Sequence, residues 1–308
     1  MQIYKKTGEN LTALGNQKFN LEKHLQTLVE RNLDKVFGLK FVTSEFQLNN
    51  LRIDTVAFDS EINTFVLIEY KRDRSFSVID QGFAYLALAL NNKADFVLLY
   101  NAKFNKNLQK DDIDWSQIRV IFVAETFTTY QQEAIGFQDL PIELWEVSPY
   151  EGELLIFNQL KASKKSESIK KIAKSADMNV VSKEVRPYTL EDHIKDDWSK
   201  TKELFEELST RLLELDPSLE IKPVKSYIGF RLGTKNLVNV KAKSTKLTIE
   251  LLRTQPQDVK DPESKVTYFN NSFKYYNQHV SLMDVENTDD IEYATMIIKQ
   301  VYKRLLED

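Results

Sequence analysis

The sequence contains no cysteine and is poor in glycine and proline, with 8 and 7 of its 308 residues. Without thiols, the chain cannot form disulfides, zinc-thiolate sites or cysteine nucleophiles, and a reducing, cytoplasmic environment is the expected one. Its three histidines show no ligand spacing. No glycine-rich phosphate loop follows any predicted strand, which argues against binding of nucleoside triphosphates or dinucleotides.

Long apolar runs and a strong net charge are also missing. No stretch approaches the roughly 18 uncharged residues that a membrane span needs, and the initial segment MQIYKKTGENL lacks an apolar core. We therefore expect neither secretion nor a membrane span. A formal net charge of −4 gives no general attraction to nucleic acid, so DNA binding would require local basic patches or bridging metal ions.

The composition is that of a folded protein, with 42% hydrophobic and 11% aromatic residues. A chain of 308 residues is long for one core and suits two domains. Between residues 160 and 187 the composition changes to lysine, serine, alanine and glutamate. This change predicts a linker between a first domain at 1–159 and a second at 188–308.

Hydrophobic periodicity predicts alternating helices and strands in the first domain, after an irregular arm over residues 1–18. The predicted elements are a helix at 21–35 capped by Asn20, strands at 41–48, 52–58 and 64–70, a helix at 78–90, strands at 94–100 and 118–124, a helix at 128–137 ended near Gly136, and strands at 141–147 and 153–157. This order predicts a mixed sheet with flanking helices, an α/β fold.

The second domain is predicted to be α+β, with an antiparallel sheet bracketed by helices. Its predicted elements are a helix at 190–215, strands at 224–232, 237–242, 246–253 and 280–285, and a helix at 289–306. Seven basic residues and no acidic one occur between residues 221 and 248. This basic run is a candidate for binding phosphate groups, and a solvated strand face explains it equally well; the candidate contacts are Lys225, Arg231, Lys241 and Lys243.

Residues that suit a metal-dependent nuclease lie at the ends of predicted elements between residues 51 and 85. Asp54 and Glu69 lie on neighbouring strands joined by a short turn, and Lys71 follows two residues after Glu69 on the same strand face. Hydrolysis of a phosphodiester uses a divalent cation that activates water and prefers carboxylate ligands. A nearby lysine can orient that water and offset the developing charge. Ordinary charged strand ends remain the alternative explanation.

Two further polar residues can approach this cluster from helices. Glu22 lies in the first turn of the first helix, where the helix dipole alone would also favour an acid, and Gln81 begins the next helix. A Glu-x-Lys triplet by itself is uninformative, because Glu220-Ile221-Lys222 is a second copy. Only the first copy ends a buried strand and precedes a helix that begins with a glutamine.

The ordered motifs resemble the PD-(D/E)xK nucleases, specifically the NucS-like or RecB-like endonuclease group. The matching residues are Glu22, Arg52-Ile53-Asp54, Ile68-Glu69-Tyr70-Lys71 and Gln81-Gly82-Phe83-Ala84-Tyr85. Over residues 19–158 the resemblance implies a restriction-endonuclease-like (tRNA-endonuclease-like) mixed sheet and a Mg²⁺ or Mn²⁺ ion held by Asp54, Glu69 and Glu22. It further implies catalytic roles for Lys71 and Gln81, and DNA contacts at Arg52 and Tyr85.

The resulting hypothesis is a metal-dependent nuclease that hydrolyses DNA, with a homodimer as a means of cutting both strands from one cation site per chain. The superfamily also contains members with an intact fold and no known cleavage, so the alternative is a non-catalytic nucleic-acid-binding or interaction protein. The second domain resembles a C-terminal domain of unknown function found after nuclease-like domains in bacterial proteins, some of them labelled predicted transport proteins. No predicted span supports transport.

Overall fold

The structure of the chain is a computed structural model that describes residues 2–19, 22–71, 77–135, 140–161 and 175–307. Its backbone contacts divide into two compact units, Met1–Asp59 with Thr64–Arg186, and Ser60–Asn63 with Pro187–Asp308. Part of the predicted linker, residues 162–174, lies outside the described residues, as do the predicted cap Asn20 and Gly136. The domain bounds 1–159 and 188–308 stay predictions.

The first unit contains a six-stranded mixed sheet with the order β3-β4-β5-β6-β7-β8. Its strands are β3 (Lys40–Leu48), β4 (Leu51–Asp59), β5 (Thr64–Lys71), β6 (Arg119–Ala124), β7 (Ile142–Tyr150) and β8 (Leu154–Leu160). The pairs β3 with β4, β4 with β5 and β7 with β8 are antiparallel, whereas β5, β6 and β7 run parallel. The predicted mixed α/β architecture is confirmed.

Helices cover both faces of this sheet. They are α1 (Glu22–Arg31), α2 (Leu33–Val36), α3 (Val78–Asn91), α4 (Lys93–Phe104), α5 (Thr129–Ala134) and α6 (Ala176–Glu184). One apolar core joins α1 and α2 to one sheet face, and a larger core joins α3, α4 and α6 to the other. Strand β5 is therefore buried along its length apart from Lys71, as predicted for a central strand covered on both sides.

The segment 94–100 is a helix, so its prediction as a strand was wrong. Phe96, Val97 and Tyr100 are buried, with the spacing of one helix face, while Leu98 between them is largely exposed. Helix α4 follows α3 almost without a break and ends at Phe104, and the next residue, Asn105, caps it in a left-handed conformation. A short apolar run does not distinguish a strand from a helix. Packing against α3 and the sheet makes residues 94–100 helical.

Other local differences occur at element ends and in segments predicted to be irregular. The N-terminal arm forms an antiparallel hairpin of β1 (Tyr4–Thr7) and β2 (Asn10–Ala13), and the first helix is broken at Asn32. Helix α6 lies within the segment predicted to be a linker. It packs against α3, and the buried side chains of Val181 and of Val185, the residue that follows the helix, join the larger core.

The second unit contains a six-stranded antiparallel sheet with the order β13-β14-β12-β11-β10-β9. Its elements are α7 (Ser199–Leu215), β9 (Glu220–Val224), β10 (Tyr227–Leu232), β11 (Lys235–Lys243), β12 (Lys246–Leu252), β13 (Thr267–Tyr268), α8 (Ser272–Tyr276), β14 (Val280–Val285) and α9 (Thr288–Glu307). Helices α7 and α9 share one apolar core with the sheet. The predicted separate antiparallel sheet is confirmed.

Two predicted elements of this unit are divided. The predicted helix at 190–215 is a short 3-10 turn, Leu190–Asp192, followed by α7 from Ser199. The predicted strand at 224–232 is the pair β9 and β10 with a turn at residues 225–226. Among the described residues, no helix is both long and apolar enough to span a bilayer.

Candidate active site

Strands β4 and β5 bring Asp54, Glu69 and Lys71 together. The antiparallel pairing of β4 with β5 ends at Thr55 opposite Ile68, and Asp54 and Glu69 are the residues just beyond this pair, close enough for the charge of Glu69 to act on the Asp54 carboxyl. Glu69 lies two residues after Leu67 of the larger core and therefore on the sheet face that carries α3, where Gln81 of α3 bonds its carboxylate. Strands β4 and β5 thus hold the two carboxylates near each other, and their roles in a site stay predictions.

Glu69 is a buried carboxylate whose two oxygens have different surroundings. Its Oε1 accepts hydrogen bonds from Lys71 Nζ at 2.6 Å and from Gln81 Nε2 at 2.8 Å. Its Oε2 is buried and has no hydrogen-bond partner among the residues that the structure describes. Because a buried acceptor without a donor is unfavourable, this oxygen is suited to coordinate a cation.

Asp54 is only 8% exposed. Its Oδ2 accepts a hydrogen bond from the backbone N–H of Tyr70 at 3.1 Å. Burial, and secondly the negative charge of Glu69, raise the pKa of Asp54 to about 6, although the Tyr70 N–H and the Lys71 ammonium oppose the change. The pair thus carries unfavourable negative charge that a divalent cation would neutralise.

Gln81 links this pair to α3. Its Nε2 donates to Glu69 and also to the Tyr85 hydroxyl, at 2.9 Å, and that hydroxyl donates to the Arg52 carbonyl at 2.7 Å. Burial first, and then the charge of Glu69, raise the pKa of Tyr85 above its ordinary value, so the hydroxyl remains protonated as a donor. Tyr85 is buried in this arrangement, where it supports Gln81.

The position of Gln81 depends on the glycine that follows it. A Cβ built on Gly82 would lie 2.4 Å from Cδ1 of Ile142 on β7, closer than real side chains approach. Ser77 caps the N-terminus of α3 by accepting from the N–H of Asp80. Close packing at Gly82 and the cap at Ser77 therefore set where the helix begins and how near Gln81 comes to the sheet.

On the other sheet face, Gln26 and Glu30 of α1 support β4. The buried Gln26 amide donates to the Asp54 carbonyl at 3.1 Å and to Glu30 at 2.9 Å. Glu30 Oε1 also accepts from the hydroxyls of Ser44 and Thr55, at 2.8 and 2.6 Å. Sequence reasoning missed these residues.

A signal for them exists, because Glu22, Gln26 and Glu30 repeat every four residues and share one helix face. Glu22 itself is exposed in the first turn of α1. Within the part of the chain that the structure describes, no group of three or more His, Cys, Asp or Glu side chains is placed to hold a metal ion. The structure thus brings Asp54 and Glu69 together without adding Glu22 to the pair.

Arg52 lies on β4 at the surface and pairs with Glu45. Its Nε is 3.1 Å from Glu45 Oε2, and Lys23 Nζ is 2.6 Å from Glu45 Oε1. The hydrogen bond from Lys23 lowers the pKa of Glu45. Glu45 has a φ of +51°, a left-handed conformation within β3 that no sequence signal indicated. The Arg52 side chain remains 65% exposed, so its guanidinium is accessible.

The predicted phosphate contacts of the second unit have different surroundings. Arg231 is buried and donates to the carbonyls of Gly233 and Thr234. Lys241 Nζ pairs with the buried Glu250 at 2.5 Å. Lys225 and Lys243 are exposed. The structure does not join these four residues into one site, and their binding of nucleic acid stays a prediction.

The second Glu-x-Lys triplet lies on β9, the edge strand of the second sheet. Glu220 is exposed there, and the upstream Asp216 accepts hydrogen bonds from Ser218 and Tyr302. No second buried carboxylate stands opposite this triplet among the described residues. The context of each triplet, and not the triplet itself, thus distinguishes the two copies.

The fold and this site define a two-unit protein with a mixed α/β sheet, on which two buried carboxylates lie beside a lysine and a glutamine. The chain belongs to the same family as a protein of Haemophilus influenzae (strain ATCC 51907 / DSM 11121 / KW20 / Rd) named "Uncharacterized protein". The two are 38% identical over 305 residues, which cover 98% of this chain and 100% of that relative. Residues 190–304 match the domain of unknown function DUF5655, as expected for the second domain.

Three solved structures are similar to parts of the chain. A repair endonuclease from Pyrococcus abyssi matches at 16% identity and a TM-score of 0.25, over 43% of this chain and 50% of that one. An EndoMS complex with double-stranded DNA matches at 15% identity and a TM-score of 0.24, over 47% of this chain and 65% of that one. Pyrococcus furiosus SfsA in complex with Ca²⁺ matches at 12% identity and a TM-score of 0.26, over 53% of this chain and 76% of that one. These distant similarities carry no argument about activity.

Proposed function

We propose that the first unit has a restriction-endonuclease-like fold and hydrolyses phosphodiester bonds of DNA with the help of a divalent cation, Mg²⁺ or Mn²⁺. The observation that carries the proposal is the buried pair of Asp54 and Glu69, in which one Glu69 oxygen has no hydrogen-bond partner within the described part of the chain. The order of the motifs around this pair, which resembles that of PD-(D/E)xK nucleases, supports the same conclusion.

The residues of the site fit a hard divalent cation. Asp54 and Glu69 supply carboxylate oxygens, and Mg²⁺ is commonly held by one or two carboxylates with water completing its coordination. Glu69 Oε2 is a buried acceptor to which no described residue donates. The cation would supply a water molecule of lowered pKa and would neutralise charge on the phosphate.

Lys71 and Gln81 have separate roles in this proposal. Both donate to Glu69 Oε1, which fixes the carboxylate and leaves Oε2 available. The Lys71 side chain is 21% exposed, so its ammonium can reach both the carboxylate and a bound phosphate group. There it would stabilise the negative charge that develops during hydrolysis. Gln81 is a positioning residue that acts through Glu69.

The test is cleavage of plasmid, single-stranded and branched DNA by the purified chain with Mg²⁺ or Mn²⁺. We expect cleavage that stops when the cation is chelated and that is lost in the variants Asp54→Ala and Lys71→Ala. Glu220→Ala and Lys222→Ala, from the second Glu-x-Lys triplet, are matched controls that should cleave normally.

Two outcomes contradict the proposal. If no substrate is cut, or if the Asp54→Ala and Lys71→Ala proteins cut as well as the wild type, the site is not a nuclease active centre. Salt-dependent DNA binding without cleavage would then favour the non-catalytic nucleic-acid-binding protein. Sedimentation of the active protein with and without DNA would test the proposed homodimer.

A further inference from the structure

A groove on the surface of the second unit carries an excess of positive charge. It lies between α7 and α9, has a volume of about 380 Å³, and is lined by seven residues. Three of these are the cations Arg211, Lys299 and Lys303, and one is the acid Glu292. Because the whole chain has a net charge of −4, this concentration of cations is local.

The cations of the groove are incompletely paired. Arg211 uses Nε and Nη2 to bind Glu207 on its own helix, at 3.2 and 2.9 Å. Lys299 and Lys303 lie one turn apart on α9, a spacing at which like charges repel. Within the described part of the chain, no hydrogen bond or ion pair joins either ammonium to another group.

Other lysines of the same unit have carboxylate partners. Lys241 pairs with Glu250, Lys246 with Asp284 and Lys265 with Asp290. The neutral polar groups of the groove are likewise engaged, since the Thr295 hydroxyl donates to a helix carbonyl and the Gln300 amide bonds the backbone of residue 260. The donors that remain available to a ligand are therefore the cationic ones.

We propose that this groove binds a phosphate group of a nucleotide or of nucleic acid. A phosphate offers several charged oxygens, which can accept from ammonium and guanidinium donors on two helices at once. The volume falls in the range of small-molecule sites, about 300–1,000 Å³, and leaves room beside the phosphate. Met296 in the groove is 39% exposed and provides an adaptable apolar contact for the sugar or base.

This site is independent of the proposed nuclease centre, because all its lining residues belong to the second unit. The experiment measures binding of three probes to the full chain at constant ionic strength and without divalent cations, so that hydrolysis does not interfere. The probes are inorganic phosphate, adenosine monophosphate and a labelled single-stranded oligonucleotide. The test variant is the double substitution Lys299→Gln and Lys303→Gln.

A matched control removes the same charge elsewhere on the unit. Lys200 and Lys202 are exposed in the first turn of α7, outside the groove, and Lys200→Gln with Lys202→Gln is the control. We expect the affinity for at least one probe to fall by about 10-fold in the test variant and to be unchanged in the control. Thermal melting should show that both variants fold.

The probes also distinguish the source of the phosphate. A loss confined to the oligonucleotide assigns the groove to nucleic acid, and a loss confined to adenosine monophosphate assigns it to a free nucleotide. Equal affinities of the two double variants, or no binding of any probe to the wild type, would refute the site. Neither result depends on whether the Asp54 and Glu69 pair cleaves DNA.

Discussion

Replacing Asp54 with asparagine should stabilise the cation-free protein at neutral pH while it removes a metal ligand. The asparagine oxygen can still accept from the Tyr70 N–H, which lies 3.1 Å from Asp54 Oδ2. The substitution therefore removes the buried negative charge beside Glu69 and keeps the hydrogen bond. Residues arranged to bind a cation are expected to lower the stability of the folded protein when the cation is absent.

The magnitude follows from the pKa of Asp54. Burial and the charge of Glu69 raise it from 3.8 to about 6, and each pKa unit corresponds to about 1.4 kcal/mol. The folded chain thus binds the Asp54 proton more tightly than the unfolded chain does. The stability that the protonated Asp54 contributes is fully present below about pH 3.8 and is lost as the pH rises through about 6. Above this window the ionised carboxylate costs about 3 kcal/mol, roughly half of which is already present at about pH 5.

The assay is urea unfolding of both proteins at about pH 5 and about pH 7.5, without divalent cations. We expect the stability advantage of Asp54→Asn to be about 1.4 kcal/mol larger at the higher pH. Addition of Mn²⁺ should then stabilise the wild type more than the variant, because only the wild type retains both carboxylate ligands.

An exposed acid of the same unit provides the control. Asp111→Asn makes the same change of charge at the surface and should give no comparable gain in stability at about pH 7.5. If Asp54→Asn were destabilising at about pH 7.5, or if its effect were independent of pH, the carboxylate pair would not be under the electrostatic stress described above.

Three further substitutions test the surroundings of the site. Gln81→Ala removes a donor to Glu69 and should weaken cation affinity, measured by titration calorimetry with Mn²⁺, by about 10-fold to 100-fold. Gly82→Ala should destabilise the protein by about 1–3 kcal/mol in urea unfolding, since its Cβ would meet Ile142. Glu30→Ala should cost about 1–3 kcal/mol in the same assay, because two hydroxyls and one amide lose their acceptor.

Each of these three predictions has an experimental outcome that would contradict it. Unchanged cation affinity in Gln81→Ala would show that its bond to Glu69 does not position the carboxylate, and Gln132→Ala on α5 is the matched glutamine control. A neutral Gly82→Ala would mean that the Ile142 side chain or α3 moves aside without a measurable cost. If Glu30→Gln, which keeps one acceptor oxygen, were as unstable as Glu30→Ala, the lost acceptor would not explain the effect.

The elements that carry the site could be predicted because their signals are local and strong. Strands β4 and β5 form a hairpin with a short turn, and the apolar run of β5 has the character of a fully covered strand. Side-chain alternation then places Glu69 and Lys71 on one face. The antiparallel hairpin also brings the end of β5 beside the start of β4, which places Glu69 near Asp54.

The features of the fold and of the site that the sequence did not predict depend on tertiary packing. Residues 94–100 form α4 because their buried side chains fit against α3, which a short apolar run does not reveal. The support that Gln26 gives to the Asp54 carbonyl requires the placement of α1 on the sheet. The positive φ of Glu45 and the burial of Arg231 have no counterpart in composition or spacing.

The connectivity of the sheet has a consequence for how the first unit folds. Asp54 and Glu69 belong to a hairpin whose strands are joined through Ser60–Asn63, whereas β5 meets its parallel neighbour β6 only after residues 72–118. Closing a short loop costs less conformational entropy than closing a long one, so the hairpin can form early. Repulsion between the two carboxylates would then act in the folding transition state, and protonation of Asp54 would accelerate folding more than it slows unfolding.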